Sequence, residues 1–92
     1  MNKAELIASV ADKSGMTKKA AGDAVEAVFA AISETLAREE KVTIVGFGTF
    51  EVRDRQARKG VNPSTGEEIM IPATKVPAFK PGKSLREAVA PK

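Results

Sequence analysis

From Gly60 to Glu68 the chain carries a single aliphatic side chain, Val61, among glycines, a proline, hydroxyls, an asparagine and two carboxylates. A segment made of turn formers and charges has nothing to bury, so it must project from whatever core the rest of the chain builds. On both sides the sequence becomes strand-like, with Thr43-Ile44-Val45 and Thr49-Phe50-Glu51-Val52 before it and Ile69-Met70-Ile71 after it. These β-branched and aromatic residues suit a pleated surface. The expected element is a long hairpin within residues 42–83. With roughly ten residues per side rising about 3.3 Å each, it reaches on the order of 30 Å, too far to fold back onto a small domain. Such an arm is shaped to hold something outside the chain.

The 92 residues suffice for one domain. A domain of this size buries about two-thirds of its unfolded surface at best, so residues committed to an arm leave too small a core for a monomer. Oligomerisation is the expected remedy. The chain has neither Cys nor His, which removes disulfides, thiolate nucleophiles, the commonest general base and the usual transition-metal ligands. The expectation is a binding protein, not an enzyme, with no cofactor and no metal. Met1-Asn2-Lys3-Ala4-Glu5 does not resemble a leader, and no stretch approaches the roughly 18 apolar residues of a membrane span. A cytoplasmic location without a membrane partner is expected.

The net charge of +3 is unevenly placed. Residues 1–40 hold five basic and seven acidic side chains, a balance of −2, whereas residues 41–92 hold ten basic and five acidic, a balance of +5. The positive field belongs to the hairpin half, as a polyanion-binding surface requires. A solvated basic face is the plainer alternative.

Asn2 followed by Glu5 forms a capping-box pattern, after which Leu6, Ile7, Val10 and Ala11 fall at helical spacing up to Ser14-Gly15. Thr17 is the next N-cap. The helix it opens carries Ala21, Val25, Val28, Phe29, Ile32 and Leu36 on one stripe and Ala20, Ala24, Ala27 and Ala31 on another, ending at Arg38–Lys41. Two stripes want two partners, one in the same chain and one in a second copy. Val42–Val45 is a short strand, and Gly46-Phe47-Gly48 is a turn whose glycines can take positive φ. A second strand from Thr49 runs on through Arg53, Asp54, Arg55, Gln56, Ala57, Arg58 and Lys59. Period-two alternation places Arg53, Arg55 and Lys59 on one face with Ala57, and Asp54, Gln56 and Arg58 on the other. The return strand covers Ile69–Ile71, is interrupted at Pro72 and Pro77, and resumes over Val76–Phe79. A short helix, Ser84–Ala90, closes the chain with Leu85, Ala88 and Val89 as its buried side.

Gly82-Lys83-Ser84 looks like the end of a phosphate-binding loop, but that motif requires glycine at position 77, where this chain has Pro. Glu67 and Glu68 are adjacent on an exposed loop, so they cannot form a buried acid/base pair. Phe29, Phe47, Phe50 and Phe79 all sit on apolar positions and are expected in a core, which leaves no aromatic for stacking on single strands. Pro63 at the end of a basic ribbon has two readings. It can shape the turn, or it can act as the rigid wedge with which minor-groove architectural proteins part a base step.

Over its whole length the sequence resembles the bacterial HU family of nucleoid-associated, histone-like DNA-binding proteins. The residues that carry this are Met1-Asn2-Lys3 with Glu5-Leu6-Ile7, Gly46–Arg53, Ala57-Arg58-Lys59-Gly60, Asn62-Pro63 with Thr65-Gly66, and Val76–Lys83. The resemblance implies an α+β fold and an intertwined homodimer with a helical base. Each subunit would extend a three-stranded antiparallel sheet into a β-ribbon arm, and the two arms would embrace the minor groove of double-stranded DNA. It divides the chain into a helical dimerisation region (1–41), a sheet and DNA-binding arm (42–83, tip near 60–66) and a C-terminal helix (84–90). Arg53, Arg55, Arg58, Lys59 and Lys75 would line the arms, with Asn62 and Pro63 at the tip. Lys80, Lys83, Arg86 and Lys3 would hold flanking duplex, and Phe29, Phe47, Phe50 and Phe79 would fill the dimer core. The family usually has a basic residue where this chain has Val61. The implied function is architectural: bending duplex with little sequence preference in the nucleoid, favouring bent, nicked or gapped forms. A site-specific relative of the integration host factor type, or a basic RNA- or protein-interaction module, is the alternative.

Overall fold

The structure, a computed structural model, describes residues 1–90. By internal contact the chain divides into two compact units, Met1–Thr35 and the remainder from Leu36.

The first unit holds α1 (Lys3–Ser14) and most of α2 (Lys18–Ala37). Both ends of α1 are closed by the residues the sequence offers. The Asn2 side chain accepts from the Glu5 N–H at 2.8 Å, and the Glu5 carboxylate accepts from the Asn2 N–H at 3.0 Å, a reciprocal cap on two otherwise orphaned donors. Gly15 takes φ 78, and its N–H donates to the Ala11 carbonyl, the left-handed stop that glycine adopts without steric cost. Thr17 caps α2 by accepting from the Ala20 N–H at 3.1 Å. Only Ala21 and Val25 are buried hydrophobics among the described residues. Beyond them the apolar stripe of α2 stays open: Leu6, Val10, Ala24, Val25, Val28 and Phe29 line a groove of about 240 Å³, and Phe29 is 48% exposed.

The second unit starts where α2 ends. Glu39 closes the helix, donating its N–H to the Leu36 carbonyl at φ 61. The strands that follow are β1 (Val42–Ile44), β2 (Gly48–Arg55), β3 (Arg58–Val61), β4 (Glu68–Ile71) and β5 (Thr74–Pro81), and α3 (Lys83–Val89) closes the unit. β1, β2 and β5 form an antiparallel sheet in that order, and β3 and β4 pair as a separate two-stranded ribbon. This is an α+β fold with a β-arm.

Three expectations are corrected. The hairpin strands are not continuous: pairing stops after Arg55, opposite Thr74, and resumes between Arg58 and Ile71. Pro72 explains the gap, because it has no donor for the ladder and restricts the residue before it. Pro77, in contrast, does not interrupt its strand; it pairs with Val52 inside β5. β5 is an edge strand, and Pro77 and Pro81, spaced by an even number of residues, both turn their missing N–H to the free side. Finally, Gly46 takes positive φ (85) but Gly48 does not. Gly48 is required for close approach: a Cβ there would lie 2.5 Å from Phe79 Cζ and 2.6 Å from the Lys80 carbonyl oxygen.

That crowding yields a test. Because a backbone oxygen cannot swing aside, Gly48→Ala should destabilise by about 1–3 kcal/mol, lowering Tm by roughly 4–8 °C per kcal/mol. Gly22→Ala on α2, whose Cβ would sit 3.8 Å from Ile7 Cγ2, should leave Tm unchanged or raise it. Thermal denaturation of the two variants followed by circular dichroism checks both signs.

Candidate nucleic-acid interface

Directly paired residues in an antiparallel ladder point to the same side, so register decides which cations share a face. Between β2 and β5, Thr49 pairs with Lys80, Glu51 with Ala78, Arg53 with Val76 and Arg55 with Thr74. One face of the sheet therefore gathers Arg53, Arg55 and Lys80. The alternate pairs, Phe50 with Phe79, Val52 with Pro77 and Asp54 with Lys75, lie on the other. Lys75 is thus on the phenylalanine side, apart from the arginines with which the sequence grouped it.

On the arm, Arg58 and Gly60 share a face with Ile71 and Ile69, and Lys59 and Val61 share the opposite face with Met70 and Glu68. The expected sorting, Arg53, Arg55 and Lys59 on one face and Asp54, Gln56 and Arg58 on the other, meets no shift of register at the pairing gap: Arg55 opposes Thr74 and, three residues on in each strand, Arg58 opposes Ile71. Arg58 and Lys59 present one cation on each side of the ribbon.

The tip is closed by Asn62. Its N–H donates to the Glu67 carbonyl at 2.8 Å, its carbonyl accepts from the Gly66 N–H at 2.7 Å, and its side-chain oxygen accepts from the Ser64 N–H at 2.8 Å. Thr65 Oγ1 accepts from the Glu67 N–H at 3.3 Å, and Gly66 supplies the positive φ of 76. This network leaves Pro63 exposed at the extremity.

The cations fall into two groups. Lys3 is ion-paired with Glu26. Lys75 Nζ lies 2.7 Å from Asp54 Oδ1 and 3.0 Å from Glu39 Oε1, and the bonds to Asp54 and then Glu39 raise its pKa above 10.5. Arg53 Nε lies 3.0 Å from Glu51 Oε2, a carboxylate whose side chain is only 14% exposed. That bond, aided by the charges of Lys80 and Lys41, holds the Glu51 carboxyl below its ordinary 4.5. Among the described residues, Arg55, Arg58, Lys59, Lys80, Lys83 and Arg86 form no ion pair. Lys83 and Arg86 lie on α3, whose N-cap is Gly82. Also among the described residues, no three carboxylates gather as metal ligands, and no helix is long and apolar enough to cross a membrane.

Phe50 and Phe79 stack with centroids 4.7 Å apart, and Phe47 lies 5.5 Å from Phe79. In the single chain Phe47 and Phe79 stay partly open, at 44% and 36% exposure, and Phe29 belongs to the helical unit. The sequence missed Glu51, Asp54 and Glu39 as partners of the cations. The Glu51–Arg53 contact was legible as a period-two pair along one strand, whereas Glu39 and Lys75 are too far apart in sequence for any local pattern.

A helical unit joined to a sheet that gathers Arg53, Arg55 and Lys80 and runs out into a two-stranded arm with Arg58 and Lys59 at its base has the form of a protein that grips a polyanion. The chain belongs to the family described as bacterial DNA-binding protein, which it matches over residues 1–90. It is 65% identical over 92 residues, covering all of both chains, to the SPbeta prophage-derived DNA-binding protein HU 2 of Bacillus subtilis. It is 63% identical to the DNA-binding protein HU of Geobacillus stearothermophilus, over 97% of this chain and 99% of that one. Among solved structures, an Anabaena HU–DNA cocrystal structure matches with a TM-score of 0.96 and 52% identity over all of both chains.

The half-buried carboxylate gives a pH prediction. A depressed pKa in the folded state contributes stability above the unfolded value, and that stability is lost as pH falls through the folded value. Glu51→Gln should therefore have a lower Tm than the parent near pH 6, and the difference should close below about pH 4, under the ordinary carboxylate pKa. Melting curves of both proteins from pH 7 to 3 provide the check.

Proposed function

We propose that this chain acts as a homodimer that binds duplex DNA along its minor groove through two arms and bends it, with little sequence preference, as an architectural component of the nucleoid. The observation that carries this reading is the match, arm included, to the Anabaena protein, whose structure is titled as an HU–DNA cocrystal. The charge pattern agrees with it. Among the described residues Arg55, Arg58, Lys59 and Lys80 are unpaired cations along sheet and arm, suited to phosphates, and Arg53 stands beside them, held by Glu51. Lys83 and Arg86 extend the basic surface onto α3. Lys75 and Lys3 would have to exchange carboxylate partners for phosphates, so their contribution is smaller. The exposed Pro63 would wedge at a base step, and Asn62 shapes the loop that presents it.

A second copy is supported by what one copy leaves wet. With two buried hydrophobic residues among those described, the single chain lacks a core, while the α2 groove and the Phe47 and Phe79 rings offer the apolar surface of an obligate interface. Folding and association should then be coupled, so Tm should rise with protein concentration. A constant Tm over about a hundredfold range, together with a monomer in sedimentation at micromolar concentration, would contradict the dimer.

Binding through phosphates predicts a steep salt dependence: if a dimer neutralises about 6 to 10 phosphates, affinity falls ~10³ to 10⁵-fold between 50 and 200 mM salt. Arg58→Ala should weaken binding to all duplexes alike, because a phosphate contact carries no information about deformability. Pro63→Ala should instead reduce bending and the preference for gapped over intact DNA, since a gap has already lowered the few kcal/mol that unstacking costs. Energy transfer between the ends of a short duplex and titrations of intact and gapped DNA measure both effects. A wild-type bend in Pro63→Ala would reduce Pro63 to a turn residue. A strong preference for one site over random DNA would favour a site-specific bender, and equal binding of bent and straight duplex would favour an RNA- or protein-binding module.

A further inference from the structure

The odd-numbered positions of β2 lie in rows across one face of the sheet. Thr49 stands between Thr43 and Lys80, while Glu51, Arg53 and Arg55 are opposite Ala78, Val76 and Thr74. Glu51 is therefore the one carboxylate among these ladder positions, where every other charge is positive. Arg53, Lys80 and Lys41, the last just before β1, surround it and favour its ionised form. A carboxylate on such a face repels phosphate and neutralises a cation, so its presence there needs a reason. Its geometry is not that of a competitor. The Glu51 side chain is 14% exposed against 55% for Arg53, so a phosphate arriving from solvent meets the guanidinium first. The contact runs to Nε, which lies 3.0 Å from Oε2, and Nε carries only one of the five guanidinium donors. Among the described residues the two terminal amino groups form no hydrogen bond to another side chain. Lys75, in contrast, has its whole ammonium turned onto two carboxylates.

We propose that Glu51 is a positioning residue for phosphate recognition: by holding Arg53 at Nε, it directs the two terminal amino groups away from the sheet as a fork for one DNA phosphate. This rests on the DNA-binding reading above. An arginine on an exposed strand loses rotamer freedom when it grips a phosphate, and a carboxylate that already fixes Nε removes part of that loss. Because the guanidinium is planar and rigid, fixing Nε also fixes the direction of its far end, where two amino groups can bond one phosphate together. The carboxylate does not cancel the attraction. Three cations, Lys41, Arg53 and Lys80, stand around one acid, and the acid lies beneath the guanidinium it orients.

Competition and positioning predict opposite signs for one substitution. If Glu51 only competes with phosphate, Glu51→Ala frees a cation, tightens binding and steepens the salt slope by about 0.9 for each phosphate gained. If it positions Arg53, Glu51→Ala weakens binding by about threefold or more, although a negative charge has been removed. Fluorescence anisotropy of the full chain on one intact duplex across a salt series, in wild-type, Arg53→Ala and Arg55→Ala backgrounds, separates the two. The expected result is a loss of affinity in the wild-type and Arg55→Ala backgrounds and no further loss once Arg53 is replaced. Tighter binding by Glu51→Ala, or a loss that persists in Arg53→Ala, overturns the proposal. Glu51→Gln keeps a neutral oxygen that can accept from Nε, so its affinity should fall between those of Glu51→Ala and wild type. It carries the same cycle, with the same overturning outcomes, if circular dichroism shows that Glu51→Ala does not fold. Wild-type protein that binds no duplex overturns the DNA-binding reading itself, which every outcome for Glu51 leaves standing.

Discussion

The ladder between β2 and β5 fixes more of this molecule than any other interaction. Its eight paired positions, from Gly48 with Pro81 to Arg55 with Thr74, sort the side chains by parity. Even-numbered positions of β2 bring Phe50 onto Phe79 and Asp54 onto Lys75, and odd-numbered positions gather Arg53, Arg55 and Lys80. A slip of one residue would exchange the two faces, putting phenylalanines among the cations. The register is defended at its closed end by Gly48, where the Phe79 ring and the Lys80 carbonyl leave no space for a Cβ. Adjacent to it, the Gly82 N–H donates to the Phe47 carbonyl at 2.7 Å, which ties the exit of β5 to the β1–β2 turn. Apolar packing and the clustering of cations on one face are therefore two consequences of one alignment.

The open end of the same ladder is terminated, not frayed. Pro72 withholds a donor where β4 would run into β5, and Gln56-Ala57 lie unpaired in the other strand. Between these breaks the ribbon is joined to the sheet by covalent chain without ladder bonds, so the arm can change direction with little loss of hydrogen bonding. The ribbon itself has only four paired positions and no buried residue. An element of this kind gains little from self-packing.

Much of this was legible in the sequence, because the strongest signals are local. The capping box at Asn2 and Glu5, the Thr17 cap, the Gly15 stop and the projecting segment after Val61 depend on residues within a few positions of each other. Period-two alternation also found the Arg53 and Arg55 pairing of faces. It failed where a nonlocal fact intervened. Whether the pairing runs on through Gln56-Ala57 depends on Pro72, which belongs to the opposite strand, and whether Pro77 breaks its strand depends on β5 having a free edge. Lys75 looked like one more arm cation until register placed it opposite Asp54 and tertiary structure brought Glu39 to 3.0 Å. The phenylalanines fall on apolar positions of the sequence pattern, yet in the single chain three of the four are substantially exposed.

The ends of the two hairpins follow different physical rules. At the β1–β2 turn, Gly46 and the Phe47 N–H bonded to the Ile44 carbonyl make a tight reversal of regular strand. At the arm tip a longer loop must be held without any core beneath it, and Asn62 meets that need by taking part in three hydrogen bonds, one as donor and two as acceptor. A residue with both oxygens engaged inside its own loop has only its side-chain N–H groups left for an outside acceptor. The function of Asn62 is then mainly to set the direction of Pro63, whose ring fixes φ and adds no polar group of its own. One residue satisfies the backbone so that the next can be apolar, rigid and exposed.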